Sequence, residues 1–290
     1  MKKFFLLFVV SILLTPLAMS QAKYPDWVNA TIKYFPFSAV GGGTDYVNET
    51  RLQNGYELVA TFKNPSDVSQ QLRLDFFDDN GQWTHVNGQD SGATKLQNPF
   101  IAMVVPQAGH SARQITYTLP EENVKLGWIE ITIPHAPEGQ PEMSVSLRYQ
   151  RKVNGQVMGQ ATVDPMQPMK SFSFPARSYR DPNQDLSETG LALTNPGVCN
   201  RVMVECKPEL PANITITRRN GLGRVIDSFN VTIPAGGQSV RFLNQMKPLP
   251  MAMFDGLIEI TSDVPIVGTA MQTTGDGESF NFSTIPISVP

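Results

Sequence analysis

Two stretches of this chain carry the same short pattern about one domain apart. Residues 106–113 read Pro-Gln-Ala-Gly-His-Ser-Ala-Arg and residues 234–241 read Pro-Ala-Gly-Gly-Gln-Ser-Val-Arg, a separation of 128 residues. Three further pairs of segments match, and all four occur in the same order along the two copies. They are Phe35-Pro36 with Phe174-Pro175, Asn64-Pro65 with Asn195-Pro196, and 127–132 with 256–261. A period this long exceeds that of solenoid repeats and is typical of a duplicated domain.

The N-terminus indicates export. A basic start at Lys2 and Lys3 precedes an apolar run over 4–14, and small residues follow at Ala18, Ser20 and Ala22. This arrangement is typical of a secretory signal peptide over residues 1–22, cleaved after Ser20 or Ala22. The apolar run is too short for a bilayer span, which needs about 20 residues, and we expect no membrane span in the mature chain.

The charge of the mature chain argues against a nucleic-acid partner. Removing residues 1–22 takes away Lys2 and Lys3 and no acidic residue, which leaves 21 basic against 26 acidic side chains. The formal net charge therefore moves from −3 to −5. Nucleic-acid surfaces need a basic excess, so we expect no such partner.

The chain has two cysteines, Cys199 and Cys206. An even number in an exported chain favours a disulfide. A single extended strand over 201–206 would separate the two residues by about 23 Å, whereas a bridge needs Cα atoms about 5–6 Å apart. The sequence therefore leaves two alternatives open, a bridge with a chain reversal or two separate thiols.

Short alternating strands dominate the chain after residue 34. In 129–133 the isoleucines fall on one face while Glu130 and Thr132 fall on the other, which is typical of an antiparallel sheet with one buried and one wet face. The predicted strands lie at 56–62, 71–77, 100–105, 114–119, 127–133, 143–150, 157–163, 190–194, 201–207, 213–218, 225–233, 239–243, 257–261, 266–273 and 279–285. Turns every 8–12 residues between such strands predict an all-β chain of antiparallel β-sandwiches.

These signals divide the chain into a signal peptide over 1–22 and two β-sandwich domains over 35–165 and 171–290. A Pro-rich segment at 164–170 is the predicted linker. We expect a lead-in at 23–34, loops at 38–54 and 178–188, and a long polar excursion at 80–99.

The order of repeated motifs resembles the immunoglobulin-like β-sandwich repeats of exported bacterial proteins. It runs from Phe-Pro through Asn-Pro and Pro-x-x-Gly-x-Ser to Gly-x-Ile-Glu-Ile-Thr, and residues 265–270 are similar to the final strands of such repeats. The resemblance implies two tandem immunoglobulin-like domains and brings no catalytic motif. The Cys, Trp and Cys pattern of antibody domains is missing, so a true antibody-type domain is not implied.

No pattern in the chain predicts catalysis, a cofactor or a metal. Residues 109–113 differ from the Gly-x-Ser-x-Gly elbow at the fifth position, and that elbow needs a parallel sheet with helices. His85, His110 and His135 are not spaced as metal ligands, so no zinc site is expected. Residues 78–81 resemble a fragment of a calcium loop but fit a turn better, which leaves calcium binding as a lesser alternative.

Tryptophans are the remaining candidates for contact with a ligand. Trp83 lies beside the polar excursion and is the candidate for stacking on a sugar ring. Trp128 stands where the second copy has Leu257, and we expect it in a core or between the domains.

The sequence therefore predicts a non-enzymatic interaction or structural protein, periplasmic or extracellular, whose partner is a protein or a surface glycan. Loops at one end of each sandwich, or a free sheet edge, would carry the binding. One alternative is a periplasmic assembly chaperone of pilus type, which would grip a terminal carboxylate with a basic pair such as Arg151-Lys152. The other is a carbohydrate-binding or enzyme accessory module that uses Trp83.

Overall fold

The computed structural model describes most of the chain after residue 29. The described residues are 30–47, 50–82, 87–90, 95–96, 102–104, 111–118, 124–136, 138–180, 186–197, 199–200, 205–206, 210–247, 253–275 and 280–289. The predicted signal peptide lies outside them. No helix in these ranges is long and apolar enough to cross a membrane.

The described residues of the first half form ten strands, and the pairs among these strands are antiparallel. They are β1 Thr31–Val47, β2 Thr50–Asn64, β3 Leu72–Asp78, β4 Asn87–Asp90, β5 Lys95–Leu96, β6 Ala102–Val104, β7 Ser111–Thr118, β8 Lys125–Ile133, β9 Ser144–Val153 and β10 Gln156–Val163. One layer has the order β1, β8, β3, β6. The other has β10, β9, β2, β7, β4, β5, and the far end of β1 also pairs with β2.

The described residues of the second half also lie mostly in strands. Its elements are β11 Met169–Arg180, β12 Leu186–Thr194, β13 Cys199–Asn200, β14 Glu205–Cys206, β15 Ala212–Asn220, β16 Val225–Ile233, β17 Gln238–Phe242, α1 Leu243–Met246, β18 Met253–Gly275 and β19 Phe280–Ile285. One layer has the order β11, β18, β15, β16, and the other β19, β18, β12, β17.

The pairing order of the first half therefore recurs in the second. Strands β1, β8, β3 and β6 correspond to β11, the first part of β18, β15 and β16. Strands β10, β9, β2 and β7 correspond to β19, the second part of β18, β12 and β17. The two predicted strands at 257–261 and 266–273 are a single bent strand, β18.

Each half has its own core between its two layers. The first buries Phe35, Leu58, Ala60, Phe62, Leu72, Leu74, Phe76, Ile115, Tyr117, Ile129, Ile131, Ile133, Met143, Val145, Leu147 and Val163. The second buries Phe172, Phe174, Ala176, Leu191, Leu193, Ala212, Ile214, Ile216, Ile233, Leu243, Phe254, Ile258, Ile260, Ile266, Ala270 and Ile285. Both cores draw on the two facing layers, so the halves are sandwich-like and the all-β prediction is confirmed.

The repeated Gly-x-Ile-Glu-Ile-Thr segments meet a neighbouring strand in the same way. Gly127 lies opposite Asp78 of β3, and a Cβ added to it would stand 1.9 Å from the Phe77 carbonyl oxygen. Gly256 lies opposite Asn220 of β15, and its Cβ would stand 1.9 Å from the Arg219 carbonyl oxygen. Both positions need glycine because the adjacent backbone occupies the space of a side chain.

The repeated Asn-Pro pairs close the strand in which they lie. Asn64 is buried, donates from Nδ2 to the Val68 carbonyl at 2.8 Å, and accepts at Oδ1 from the Ser66 hydroxyl at 2.8 Å. Asn195 is also buried, donates to the Leu210 carbonyl at 3.0 Å, and accepts from the Gly197 amide at 3.3 Å. Strand pairing ends at the proline, which has no backbone N–H to donate. The asparagine side chains supply hydrogen bonds at this point in its place.

Two predicted loops are wrong. Residues 38–54 and 178–188, predicted as loops, largely belong to paired strands, because β1 runs to Val47 opposite β2 and β11 runs to Arg180 opposite β12. The described part of the predicted strand at 201–207 is the short strand β14, which pairs with β13.

The wet face predicted for Glu130 and Thr132 is also wrong. Both side chains are only 2% exposed, whereas the corresponding Glu259 and Thr261 of the second half reach solvent. The strand alternation was therefore right in both halves, but the face opposite the core is covered in the first.

Candidate binding site between the two halves

The two halves touch through backbone groups at one end of each. The indole Nε1 of Trp128 donates to the Gly236 carbonyl at 3.0 Å, and the Gln238 amide donates to the Asp79 carbonyl at 2.8 Å. Gln238 also donates from Nε2 to the Gly127 carbonyl at 2.9 Å. Trp128 is fully buried and its ring stacks on Phe77 at 4.3 Å, so it packs between the halves as its size predicts.

A tight turn brings these groups together. Gly81 has φ of 77°, in the left-handed region, and a Cβ on it would stand 2.5 Å from the Gly236 carbonyl oxygen. The turn is held by the Asp78 carboxylate, which accepts from the Asn80 amide at 2.9 Å and the Gln82 amide at 2.8 Å. Residues 78–81, the lesser candidate for a calcium loop, thus form a docking turn whose first carboxylate is occupied by backbone amides.

An aromatic cluster forms a second contact between the halves. Tyr149 stacks on Tyr56 with centroids 5.5 Å apart and meets Phe37 edge-on at 5.3 Å, all within the first half. From the second half, Phe282 meets Tyr149 edge-on at 5.7 Å, and Ala192 joins the same buried cluster. Burial, with a smaller contribution from Tyr56, raises the pKa of the Tyr149 phenol well above its ordinary value, so this phenol is neutral.

Local sequence explains why this face of the second half can come close. Along β12, Leu191 and Leu193 point into the core, so Gly190 and Ala192 point outward toward the first half. Both are small, and Gly190 leaves room beside the Phe242 ring, which would lie 3.5 Å from an added Cβ.

Next to the aromatic cluster a cleft of about 260 Å³ remains open between the halves. Its wall is mostly apolar and includes five aromatic rings, with polar side chains interspersed. The lining residues are Phe37, Tyr56, Leu126, Tyr149, Gly190, Leu191, Ala192, Val240, Arg241, Phe242, Gln245, Thr269, Met271, Thr273 and Phe282. A concave apolar site with a few polar groups is the usual form of a small-molecule site.

Two charged residues lie near the cleft. Arg241 is among the described lining residues, but it pairs with the core-facing Leu191, so its side chain lies on the face of β17 away from the first half. Glu188 lies one step outside the lining, as the Cα partner of Thr273. It is 6% exposed, its Oε1 has no partner among the described residues, and burial raises the pKa of its carboxyl.

The sequence-predicted site residues do not meet at this cleft. Trp83, His85 and His110 lie outside the described residues. Ser111 begins β7 opposite Asn64, and the exposed His135 contacts Glu142 at 3.2 Å. Within the described ranges, no cluster of His, Cys, Asp or Glu side chains is arranged to hold a metal ion.

The basic pair considered for a chaperone is engaged elsewhere. Lys152 forms an ion pair with Glu57 at 2.7 Å, and Arg151 is only 9% exposed on β9. Neither side chain lines the cleft.

Cys199 and Cys206 are brought together by the backbone. They are direct Cα partners in the short ladder between β13 and β14. The chain therefore reverses between them, which removes the distance objection raised by a single strand over 201–206. Cα atoms of directly opposed antiparallel residues lie about 4.5–5.5 Å apart, which suits a bridge.

Sequence reasoning missed the residues of the cleft. Tyr56 and Tyr149 continue the inward phase of the strands that hold Leu58 and Leu147, which could have marked them as the end of a core. Phe282 and Arg241 gave no such signal, because their role depends on the placement of one half against the other.

Comparisons of this chain with protein-family models, curated proteins and solved structures find no match.

Proposed function

We propose that this chain is an exported, non-enzymatic interaction protein built from two immunoglobulin-like β-sandwich repeats over 35–165 and 171–290. The observation that carries this proposal is the same order of strand pairing in the two halves, with the repeated residues at equivalent places in both. Residues that recur for structural reasons explain the repeat without any shared chemistry.

The repeated residues act on the backbone. Gly127 and Gly256 admit a neighbouring carbonyl, and Asn64 and Asn195 close turns. Binding would therefore belong to the regions where the halves differ or meet. Among the described regions, the cleft between the halves best fits that role, because it is concave and its lining is mostly apolar.

Export is the first testable part of this proposal. We expect the purified mature protein to begin at residue 21 or 23 and to contain no free thiol, because Cys199 and Cys206 are register partners and disulfides persist outside the cytoplasm. Intact mass with and without reduction, together with thiol titration, would check both. A mature protein that retains residues 1–22, or that titrates two thiols after aerobic purification, would contradict the proposal of export or the bridge, respectively.

The absence of catalysis is tested with a panel of ester, peptide and glycoside substrates. We expect no turnover above background for the wild-type chain, nor for the Ser111→Ala and His135→Ala variants. A hydrolysis that the wild type performs and either variant loses would replace the proposed function with an enzymatic one. His110→Ala completes the set around the residues 109–113.

A pilus-type assembly chaperone is the second candidate, and the edge of one sheet favours it. Strand β16 pairs only with β15 among the described residues, which leaves nine residues of edge for an added strand. Co-purification with a subunit, abolished by Asn230→Pro on this edge but not by Asn80→Ala elsewhere, would support it. The engaged Lys152 argues against the terminal-carboxylate grip of such chaperones. The sugar-binding alternative stays a prediction, since Trp83 lies outside the described residues.

A further inference from the structure

We propose that the cleft between the halves binds a small organic cation, whose methylated ammonium group lies among the aromatic rings beside the Glu188 carboxylate. This inference rests on the proposed function, because it names the ligand class of a binding protein. It is carried by the rings of the cleft, by the face of β12 on which Glu188 lies, and by the burial of that carboxylate.

The wall of the cleft favours a cation with an apolar surface. Phe37, Tyr56, Tyr149, Phe242 and Phe282 contribute rings from both halves. The face of an aromatic ring carries partial negative charge, and groups of such rings recognise quaternary ammonium compounds. Methyl groups on the nitrogen match this wall, whereas a primary ammonium would have to give up its strong hydration.

Glu188 places a carboxylate on the face of β12 that forms the cleft. Side chains alternate along a strand, so Glu188 lies on the outward face together with Gly190 and Ala192, which line the cleft. Its Cα partner Thr273 also lines the cleft, and the Cβ atoms of such cross-strand partners lie about 4.5–5.5 Å apart. Gly190 carries no side chain that could separate Glu188 from the cleft along β12. Glu188 therefore lies at the margin of the cleft.

The Glu188 carboxylate is buried without a counter-charge in the described part of the chain. Only 6% of the residue is exposed, and its Oε1 accepts no hydrogen bond from the described residues. Burial raises the pKa of this carboxyl, because an unpaired charge is costly away from water. A ligand cation in the cleft would offset that cost, since charges attract more strongly in a poorly solvated site than at the surface.

Two arginines on the strands that line the cleft do not supply this counter-charge. Arg241 pairs with the core-facing Leu191, so its side chain lies on the opposite face of β17. Arg151 lies two residues beyond Tyr149 on β9, outside the lining, and has contacts of its own. We therefore expect a bound ligand to bring the counter-charge.

The volume of the cleft limits the size of the ligand. About 260 Å³ is below the 300–1,000 Å³ that pockets for drug-sized ligands occupy. A trimethylammonium group with a short polar tail fits this limit, whereas a segment of several amino acids does not. The ligand class is therefore a free small molecule.

The test uses the full mature chain and three probes of similar shape: choline, its neutral isostere 3,3-dimethyl-1-butanol, and the anion 3,3-dimethylbutanoate. Calorimetric titration of the wild type at mildly alkaline pH should show choline binding roughly ten-fold more tightly than the alcohol, and the anion most weakly. Choline and the alcohol differ in the charged nitrogen alone, so the ratio of their affinities measures what the charge contributes.

A change of one carboxylate to an amide tests the role of Glu188. Glu188→Gln keeps the shape of the side chain and should lower the affinity for choline roughly five-fold, while the affinity for the alcohol stays unchanged. Glu259→Gln is the matched control, because it removes a carboxylate from the same half outside the lining of the cleft. This control should bind all three probes like the wild type.

A second variant tests the rings and the place of binding. Phe242 is half-buried, and its ring would lie 3.5 Å from a Cβ on Gly190. Phe242→Leu keeps an apolar side chain but removes the ring face, so the affinity for choline should fall about three-fold and that for the alcohol should fall less. Melting temperatures show whether both variants are folded, and should one of them not fold, the other still decides.

Several outcomes would overturn the inference. Equal affinity for the three probes, or unchanged binding of choline by a folded Glu188→Gln, would remove the carboxylate from the site. Tightest binding of the anion would reverse the charge of the ligand. Equal losses in Glu188→Gln and Glu259→Gln would trace the preference to net charge alone. Failure of choline to bind, with no turnover on the substrate panel, would reject this inference alone and leave the proposed function standing.

Discussion

Replacing Gly256 by alanine should destabilise the protein by about 3 kcal/mol, among the larger effects expected of a single methyl group. The added Cβ would stand 1.9 Å from the Arg219 carbonyl oxygen, and that oxygen belongs to the backbone of β15, which cannot rotate away. Either β15 or the first part of β18 must therefore move, and both hold the core of the second half. Gly127→Ala should behave alike, because its Cβ would meet the Phe77 carbonyl oxygen at 1.9 Å.

Thermal unfolding would measure the effect as a fall in melting temperature of roughly 6–12 °C for each variant. Gly221→Ala is the matched control. Gly221 follows Asn220, the partner of Gly256, yet a Cβ on it would have nothing within 4 Å, so its alanine variant should unfold near the wild-type temperature. A Gly256→Ala variant as stable as Gly221→Ala would show that the close approach of the two strands is not needed.

Asp227→Asn should lower the free energy of unfolding by about 3–5 kcal/mol, because it removes the counter-charge of a fully buried guanidinium. Arg218 points into the second core beside Ile216 with none of its surface exposed, and it donates from Nε and Nη2 to the Asp227 carboxylate. Its Nη1 donates to the Lys247 carbonyl at 3.0 Å, so one side chain joins β15, β16 and the end of α1. Without the carboxylate, the charge of Arg218 stays buried and only partly satisfied.

The stabilisation that the Arg218–Asp227 pair contributes should be lost in acid and should stay constant near neutral pH. Hydrogen bonds from Arg218, and then from Lys247, lower the pKa of Asp227 below its ordinary value. A carboxyl with a lowered pKa in the folded state stabilises above its unfolded pKa of about 3.9 and loses that contribution as the pH falls through the folded value. The difference in unfolding free energy between wild type and Asp227→Asn should therefore be constant near neutral pH and shrink only in acid below about pH 4.

Denaturant titrations at several pH values would check both parts of this prediction. Asp255→Asn is the matched control, since Asp255 bonds to Arg177 at 2.8 Å with both side chains more than half exposed. Exposed pairs of this kind contribute about 0–1 kcal/mol. Equal losses in the two variants, or a loss at Asp227 that persists unchanged at pH 3, would contradict the role given to the buried pair.

Sequence reasoning succeeded where the signal was local. The alternation over 225–233 matches the bounds of β16, and the repeated motifs fall at equivalent places in the two halves. It failed where pairing with a strand distant in the sequence determines the local structure. The glycines at 41–43 suggested a loop, yet each pairs with a residue of β2, and the requirements of that ladder override the local preference.

Exposure was harder to predict than strand position. Glu130 and Glu259 stand in the same Ile-Glu-Ile motif, but one is 2% exposed and the side chain of the other 37%. The buried Arg218 stands where the corresponding position of the first half holds Phe76, counted from the paired Gly127 and Gly256. The cleft could not be predicted for a similar reason. Its lining comes from both halves, and the sequence pattern of each half does not show how the two pack against each other.

In the polar junction between the halves, the described hydrogen bonds are accepted by main-chain oxygens, among them those of Pro36, Asp79, Gly127 and Gly236. Any residue supplies such an oxygen, so the side chain at position 79 can drift over evolutionary time while the junction persists. Among the described residues of this junction, the side-chain donors Trp128, Thr194 and Gln238 and the crowded Gly81 are tied to their identities. Distant homologues could thus retain this junction while sharing few residues across it, and they would be recognised by shape before they are recognised by sequence.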